Sequence, residues 1–275
     1  MSQYVLDHHL EGEKKRLALM SQLLDPMHRR YIESLGISRD ARVLEVACGS
    51  GSMSAWMAGH VAPDGQVVAI DLDLSLVNDA RAPGVEFRKG DIVTRPVDPS
   101  RFDFVTARAV LHHVSNAEAA IDNLVESLRP GGIILLVEPD FLPVSVAEPM
   151  EIRTFWNGWL TWSRERGIDY HIGRTLAPRL AAHGLKEIGG AAETAVYNGG
   201  SPWADYWRQT ITELRSDLVE SGKVDDVLID AFLARCADPN WWTQTIAFTA
   251  VHARAGVRSL RALYGESDLK VATRR

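Results

Sequence analysis

Cysteine is scarce in this chain: two in 275 residues, Cys48 and Cys236, far apart. Such a pair makes neither a disulfide framework nor a zinc cluster. Long apolar runs are missing as well. The longest uninterrupted one, Ile133 to Val137, has the length of a strand and falls far short of a bilayer span. Met1 to Glu11 contain no apolar signal-peptide core. There is no basic excess either: 30 Lys and Arg face 36 Asp and Glu, a formal net charge of −6. A chain that grips nucleic acid through its phosphates would carry the opposite balance. Repeats and low-complexity linkers do not occur. These absences predict a cytoplasmic, intracellular protein with no resident metal and no nucleic-acid or membrane partner. They leave a homo-oligomer open.

What is present is a core: 46% of the residues are hydrophobic, enough for one large α/β domain or a core with a cap. The first 35 residues read as two helices. Leu10, Leu17, Met20 and Leu24 recur at helical spacing, and Asp25-Pro26 looks like a cap and first position of the second helix. After Gly36 the pattern changes. Strands are predicted at Arg42–Val46, Val67–Ile70, Val85–Arg88, Phe102–Thr106 and Ile133–Glu138. Between them come helices at Met53–His60, Leu74–Ala80 and Ala119–Leu128, the last behind a capping box starting at Ser115. Such alternation means βαβ units and a parallel sheet covered on both faces. The expected fold is α/β, a Rossmann-like doubly wound and mostly parallel sheet. Residues 1–40 would form an N-terminal helical lid and 41–140 the nucleotide-binding core. Residues 141–255 would complete the sheet, with helical cap insertions at 141–168 and 202–236. A polar, basic tail, 256–275, stays unassigned.

Ligands of open parallel sheets bind at the carboxyl ends of the strands, where the strand order reverses. Three such ends carry suitable groups. Glu45-Val46-Ala47-Cys48-Gly49-Ser50-Gly51 places glycines between a strand and a helix N-terminus, where the backbone can approach a ligand. The same pattern also serves as an ordinary turn. Asp71 ends the next strand, twenty positions beyond Gly51, and its carboxylate can accept from both hydroxyls of a ribose. Asp91 follows Gly90 and can accept from an adenine amino group, with Ile92 packed on the ring. It can equally close an Asx-turn.

Taken in order, these segments resemble the class I S-adenosylmethionine (SAM)-dependent methyltransferases, nearest the ubiquinone/menaquinone-type and natural-product enzymes. Val43 to Gly51 looks like the family's glycine motif, Val68-Ala69-Ile70-Asp71 like its ribose-binding strand end, and Gly90-Asp91 like its adenine loop. Phe102 to Val105 with Val110-Leu111-His112-His113-Val114 resembles the fourth-strand motif. Leu128 to Gly132 with Leu136-Val137-Glu138-Pro139 resembles the run into the fifth strand. The likeness is close over residues 40–140. It implies an enzyme that moves a methyl group from SAM to a small molecule. Cofactor contacts would come from Glu45, Ala47, Gly49, Gly51, Asp71, Leu72, Gly90, Asp91, Ile92 and Arg108, with Arg16 and Gln22 from the lid. His112, His113 and Glu138 are the candidates for proton transfer at the rim. Tyr4, Trp156, Trp159, Trp203 and Trp207 are the candidates for an aromatic acceptor pocket; Trp156, Trp159 and Trp162 stand three apart along one side of a helix. Such a lining suits an indole, quinone, phenol or terpenoid.

Three other functions keep a place. A nicotinamide-dependent oxidoreductase would use Gly49-x-Gly51-x-x-Ser54 and Asp71, but Ser54 stands where Gly or Ala is expected, and no Tyr-x-x-x-Lys pair occurs. A non-catalytic SAM-binding protein would need a closed acceptor cavity. A nucleic-acid methyltransferase would show an Asn/Asp-Pro-Pro-aromatic motif where Thr106-Ala107-Arg108-Ala109 stands.

Overall fold

The computed structural model describes residues 11–77 and 82–256. Its elements in chain order are α1 (Glu11–Ser34), β1 (Arg42–Val46), α2 (Ser52–Val61), β2 (Gln66–Asp71), β3 (Val85–Lys89), β4 (Phe102–Arg108), α3 (Ala117–Ser127) and β5 (Leu128–Asp140). There follow α4 (Leu142–Ser145), α5 (Met150–Glu165), α6 (Leu176–Ala182), β6 (Lys186–Asn198), α7 (Pro202–Glu213), α8 (Arg215–Glu220), α9 (Asp226–Ala237) and β7 (Trp242–Arg254). Short 3-10 turns lie at Leu74–Leu76 and Ile172–Thr175. No helix among the described residues is long and apolar enough to cross a membrane.

The seven strands run in the order β3-β2-β1-β4-β5-β7-β6. The first five are parallel, and β7 lies antiparallel between β5 and β6. This is the expected α/β, doubly wound sheet. Its strand order reverses between β1 and β4, whose register pairs Val43 with Phe104 and Val46 with Ala107.

Both faces of the sheet are covered, and the side-chain period of two divides the core. Val43, Val67, Phe104, Leu135 and Val137 face one layer, where α1, α2, α5, α7 and α9 pack. Leu44, Val68, Val105, Ile134 and Leu136 face the other, closed by α3 and α6. Strands buried on two faces must be apolar throughout, which is why β1, β2 and β4 read as short continuous runs.

Several elements differ from the sequence reading. The two expected N-terminal helices are one, α1, with Pro26 inside it. A proline in a helix interior costs about 3 kcal/mol through a lost hydrogen bond and a steric clash. Tertiary contacts offset that here. Leu24, Met27 and Ile32 are buried in the core, and the residues beside the proline are held from outside the helix. Asp25, read as a cap, instead receives Arg108 Nη2 at 2.8 Å, and His28 Nε2 meets Thr106 Oγ1 at 2.9 Å. The capping box is displaced by one residue: Asn116 caps α3 by accepting from the Ala119 N–H, and Glu118 pairs with Arg179. Pro130-Gly131-Gly132 lies inside β5, where the pairing with β4 shifts register. A Cβ on Gly132 would stand 2.8 Å from the Phe102 carbonyl oxygen, so a glycine is needed there. The expected helix Leu74–Ala80 begins as the 3-10 turn, and residues 78–81 lie outside the described ones. Ahead of α6, Ile172–Thr175 forms the other 3-10 turn.

Candidate functional site

At the switch point, the chain leaves both central strands through a left-handed residue. Ala47 follows β1 with φ 56°, and Ala109 follows β4 with φ 55°. This region costs an alanine about 1–2 kcal/mol. Strain of this kind gathers at functional sites. After Ala47 the chain turns on Gly49 and Gly51, both with positive φ, and a Cβ on Gly51 would meet the Phe87 ring at 3.1 Å.

Asp71 clasps this loop. Its Oδ2 accepts from the Gly49 N–H at 2.9 Å, and its Oδ1 accepts from the Asp73 N–H at 3.1 Å. Each carboxylate oxygen has a second lone pair, so Asp71 can still accept from a ligand. Asp91 accepts from the Val93 N–H at 2.9 Å, the expected Asx-turn, with Ile92 buried beside it. Glu45 sits behind the loop and accepts from Ser54 Oγ; burial pushes its carboxyl up to about 7. Ser54 is fully buried, so the serine at the third fingerprint position serves Glu45 rather than close helix–strand packing by a glycine.

These loops border an open cleft at the strand ends. Ala47, Gly49, Asp71, Leu72, Gly90, Asp91, Ile92 and Arg108 all line it. Leu17 and Met20 of α1 cover it. Arg108 gives one guanidinium nitrogen to Asp25; its buried Nη1 has no hydrogen-bond partner among the described residues. The remaining cofactor candidates lie elsewhere. Glu45 and Gly51 support the cleft from behind. Arg16 is buried but lines the neighbouring cavity, and Gln22 is exposed on α1. Tyr4 lies outside the described residues.

The neighbouring cavity shares Met20, Ala109 and His113 with the cleft. Trp159 and Trp162 of α5, Tyr206 and Trp207 of α7, Phe141 and Tyr170 line it. Trp156 does not. A step of three residues falls about 60° short of a full helical turn, so the row drifts around α5. Trp156 therefore turns into the core, against Phe155, Trp207 and Phe232. Trp203 lines a separate groove with Met27 and Thr194. Phe141 and Tyr170, stacked at 4.1 Å between centroids, were not singled out from sequence. They come from connecting segments, and only their shared aromatic type marks them.

His112 and His113 both reach this cavity, as expected of residues beyond the β4 end. His112 is buried, and its Nδ1 lies 2.8 Å from Glu138 Oε2. Glu138, at 0% exposure, also accepts from the backbone N–H groups of Val110, Leu111 and His112. One carboxylate thus fixes the whole turn after β4. Burial pushes Glu138 up to about 7, against the pull of its backbone donors. Burial also drives His112 down to about 3, so the ring is uncharged near neutrality. The Nδ1 contact with Glu138 fixes the orientation of the ring. An oriented imidazole and a buried carboxylate thus stand at the edge of the cavity.

An open sheet with its cleft at the β1/β4 reversal defines a Rossmann-like nucleotide-binding protein. The sequence narrows this further. Residues 14–188 match the profile of a methyltransferase domain, and the chain belongs to the class I SAM-dependent methyltransferase family. A ubiquinone/menaquinone biosynthesis C-methyltransferase from Pseudomonas putida is 34% identical over 133 residues, covering 44% of this chain and 52% of the relative. An uncharacterized 37.1 kDa protein of transposon TN4556 from Streptomyces fradiae is 33% identical over 168 residues, 58% of this chain and 45% of that protein. The chain thus spans about half the length of the curated relatives it matches. Among solved structures, geranyl diphosphate C-methyltransferase from Streptomyces coelicolor A3(2), in complex with Mg2+, geranyl diphosphate and S-adenosyl-L-homocysteine, has a TM-score of 0.52. It shares 14% identity over 90% of this chain and 87% of that one, a likeness of fold alone.

Proposed function

We propose that this protein transfers a methyl group from SAM to a small aromatic or apolar molecule, leaving S-adenosylhomocysteine. The observation that carries this reading is the junction of two cavities. An open cleft at the strand ends meets an aromatic cavity across Met20, Ala109 and His113. Methyl transfer needs such a junction, because the nucleophile must meet the methyl carbon in line and away from water.

The residues present suit the cofactor. Asp71 would accept from the ribose hydroxyls and Asp91 from the adenine amino group, beside Ile92. The unpartnered Nη1 of Arg108 suits the amino-acid carboxylate better than Arg16, which lies in the other cavity. When bound, SAM supplies an activated methyl on a sulfonium. The chain's own part is alignment and proton handling. His112, held through Nδ1 by Glu138, would take the acceptor's proton at Nε2. Burial leaves the ring unprotonated near neutrality and also lowers its basicity, so the Glu138 carboxylate beside it would have to stabilise the charge that forms on it. Trp159 and Trp207 would hold the acceptor's flat face.

Calorimetry tests this directly. SAM and S-adenosylhomocysteine should bind at micromolar levels and NAD should not. NAD binding without SAM binding would overturn the reading.

A further inference from the structure

An acceptor must reach the aromatic cavity from solvent, and the walls of that cavity differ in how easily they give way. Three stretches of wall are shared with another hollow. Met20, Ala109 and His113 are shared with the cleft, which the cofactor would fill. Ile246 and Phe248 are shared with the groove that holds Trp203. Ile168 and Tyr170 are shared with a surface pocket rimmed by the exposed Arg164, Gly167 and Asp169.

The second stretch is strand β7. Phe248 pairs with Pro139 of β5 on one side and with Glu193 of β6 on the other, so it moves only if the ladder breaks. The third is a short connecting segment, residues 166–171, between α5 and the 3-10 turn at Ile172. Ile168 is 6% exposed, yet it belongs to neither core layer of the sheet. The residues after it are anchored. The Asp169 N–H donates to the His112 carbonyl at 3.0 Å. The Tyr170 carbonyl accepts from the Phe141 N–H at 3.0 Å, and its ring stacks on Phe141. A side chain outside the core layers, on a connecting segment, opens at lower cost than one inside a sheet.

We propose that Ile168 is the movable stopper of the acceptor cavity, and that acceptor and methylated product pass between the cavity and the surface at this residue, with Tyr170 as the fixed side of the opening. This rests on the methyl-transfer reading, which gives the cavity its occupant and the cleft its cofactor.

Labelling of a cysteine placed inside the cavity tests the assignment. Thr210 lines the cavity and is 4% exposed. The full chain carrying Thr210→Cys is treated with benzyl methanethiosulfonate, with and without saturating S-adenosylhomocysteine, and each modified site is timed by peptide mass spectrometry. The buried native Cys48 and Cys236 report general loosening of the fold. With the cleft filled, Ile168→Ala should speed labelling at position 210, relative to both native cysteines, by at least about tenfold, the factor that about 1.4 kcal/mol off the cost of local opening gives. Ile168→Phe should slow it several-fold, an effect that loosening cannot produce. Phe248→Ala and Met20→Ala thin the other two walls and should change the rate far less. An unchanged rate in both Ile168 variants, an equal or larger rise in Phe248→Ala or Met20→Ala, or no labelling at position 210 in any chain would overturn the proposal. If Ile168→Ala unfolds, so that all three cysteines react alike, Ile168→Val and Ile168→Phe decide with the same signs. If S-adenosylhomocysteine does not bind, the methyl-transfer reading fails separately, and labelling of the unliganded chain still shows which wall opens.

Discussion

The cleft at the ends of β1 to β4 takes its polar groups from short loops, each within a few residues of a strand end. Asp71, Asp91 and Arg108 are placed by the sheet itself; Asp71 accepts from the Gly49 loop, Asp91 from the Val93 N–H of its own turn, and Arg108 donates to Asp25 of α1. The cavity beside it is lined from α1, α5, α7, β7 and the segments around His112 and Tyr170. Its groups meet only when these elements pack. The two therefore differ in what a substitution should do. In the cleft, loss of a side chain should subtract one ligand contact. Around the cavity, the same kind of change should alter either chemistry or folding, depending on which way the side chain points.

His112→Gln should show the largest effect on chemistry. Turnover should fall about 100- to 10,000-fold, the usual worth of a positioned base. Affinity for S-adenosylhomocysteine should hardly move, because the cleft residues are untouched. Near-full turnover in this variant would remove His112 from the mechanism and leave alignment as the source of rate.

Trp156→Ala and Trp207→Ala separate core from cavity wall. Trp156 is 2% exposed and lies outside both cavities. Its loss should cost about 3–5 kcal/mol of stability, as for other large aromatic truncations in cores. Trp207→Ala should raise the acceptor KM more than the SAM KM. Denaturant unfolding and the two KM values check both; matching behaviour of the two variants would erase the distinction.

Asp71→Ala should weaken SAM binding by about 1.5–3 kcal/mol, the usual worth of hydrogen bonds to a charged group. Asp71→Asn, which keeps one oxygen acceptor, should lose less. Asp73→Ala should do less still, since its carboxylate caps the 3-10 turn through Ser75. Calorimetry with S-adenosylhomocysteine reads all three, and a larger effect at Asp73 would move the ribose contact by two residues.

His28 offers a smaller effect, on stability against pH. It is fully buried against Thr106 and near Arg108, and its pKa is lowered well below the ordinary value, first by burial and then by that charge. The folded state therefore refuses a proton that the unfolded state accepts below about pH 6.5. Stability from this group is complete above that pH and falls as pH drops, by up to about 1.4 kcal/mol per pH unit. His28→Gln should remove this share of the slope between pH 6.5 and 5, measured by urea unfolding. An unchanged slope would mean that the ring is protonated in the fold.

Ala47→Gly is the mildest change. Relief of the left-handed alanine should raise stability by about 1 kcal/mol. A loss instead would mean that the methyl group earns more in packing than the backbone loses in strain.

The same contrast decides what could be read without coordinates. The glycine turn, Asp71 and Asp91 were legible because a strand end followed by a turn fixes where a carboxylate goes. The covered sheet was legible from the short apolar runs of β1, β2 and β4. Helix α1 was not, because Pro26 reads as a start when the tertiary contacts of Asp25, Met27 and His28 are unknown. Nor was the split among the tryptophans. Spacing puts Trp156, Trp159 and Trp162 on one side of α5, but only the position of Phe232 shows that Trp156 has turned into the core. Glu138 could be placed at the rim from sequence; that it gathers three backbone N–H groups and an imidazole could not.

On the proposed reading, a SAM cleft and an acceptor cavity meet beside His113. A crystal structure of the full chain with S-adenosylhomocysteine tests it most directly. The ribose should lie on Asp71, the adenine beside Asp91 and Ile92, and the sulfur should face the junction of Ala109 and His113. S-adenosylhomocysteine bound elsewhere, or with its sulfur turned away from the aromatic cavity, would contradict it.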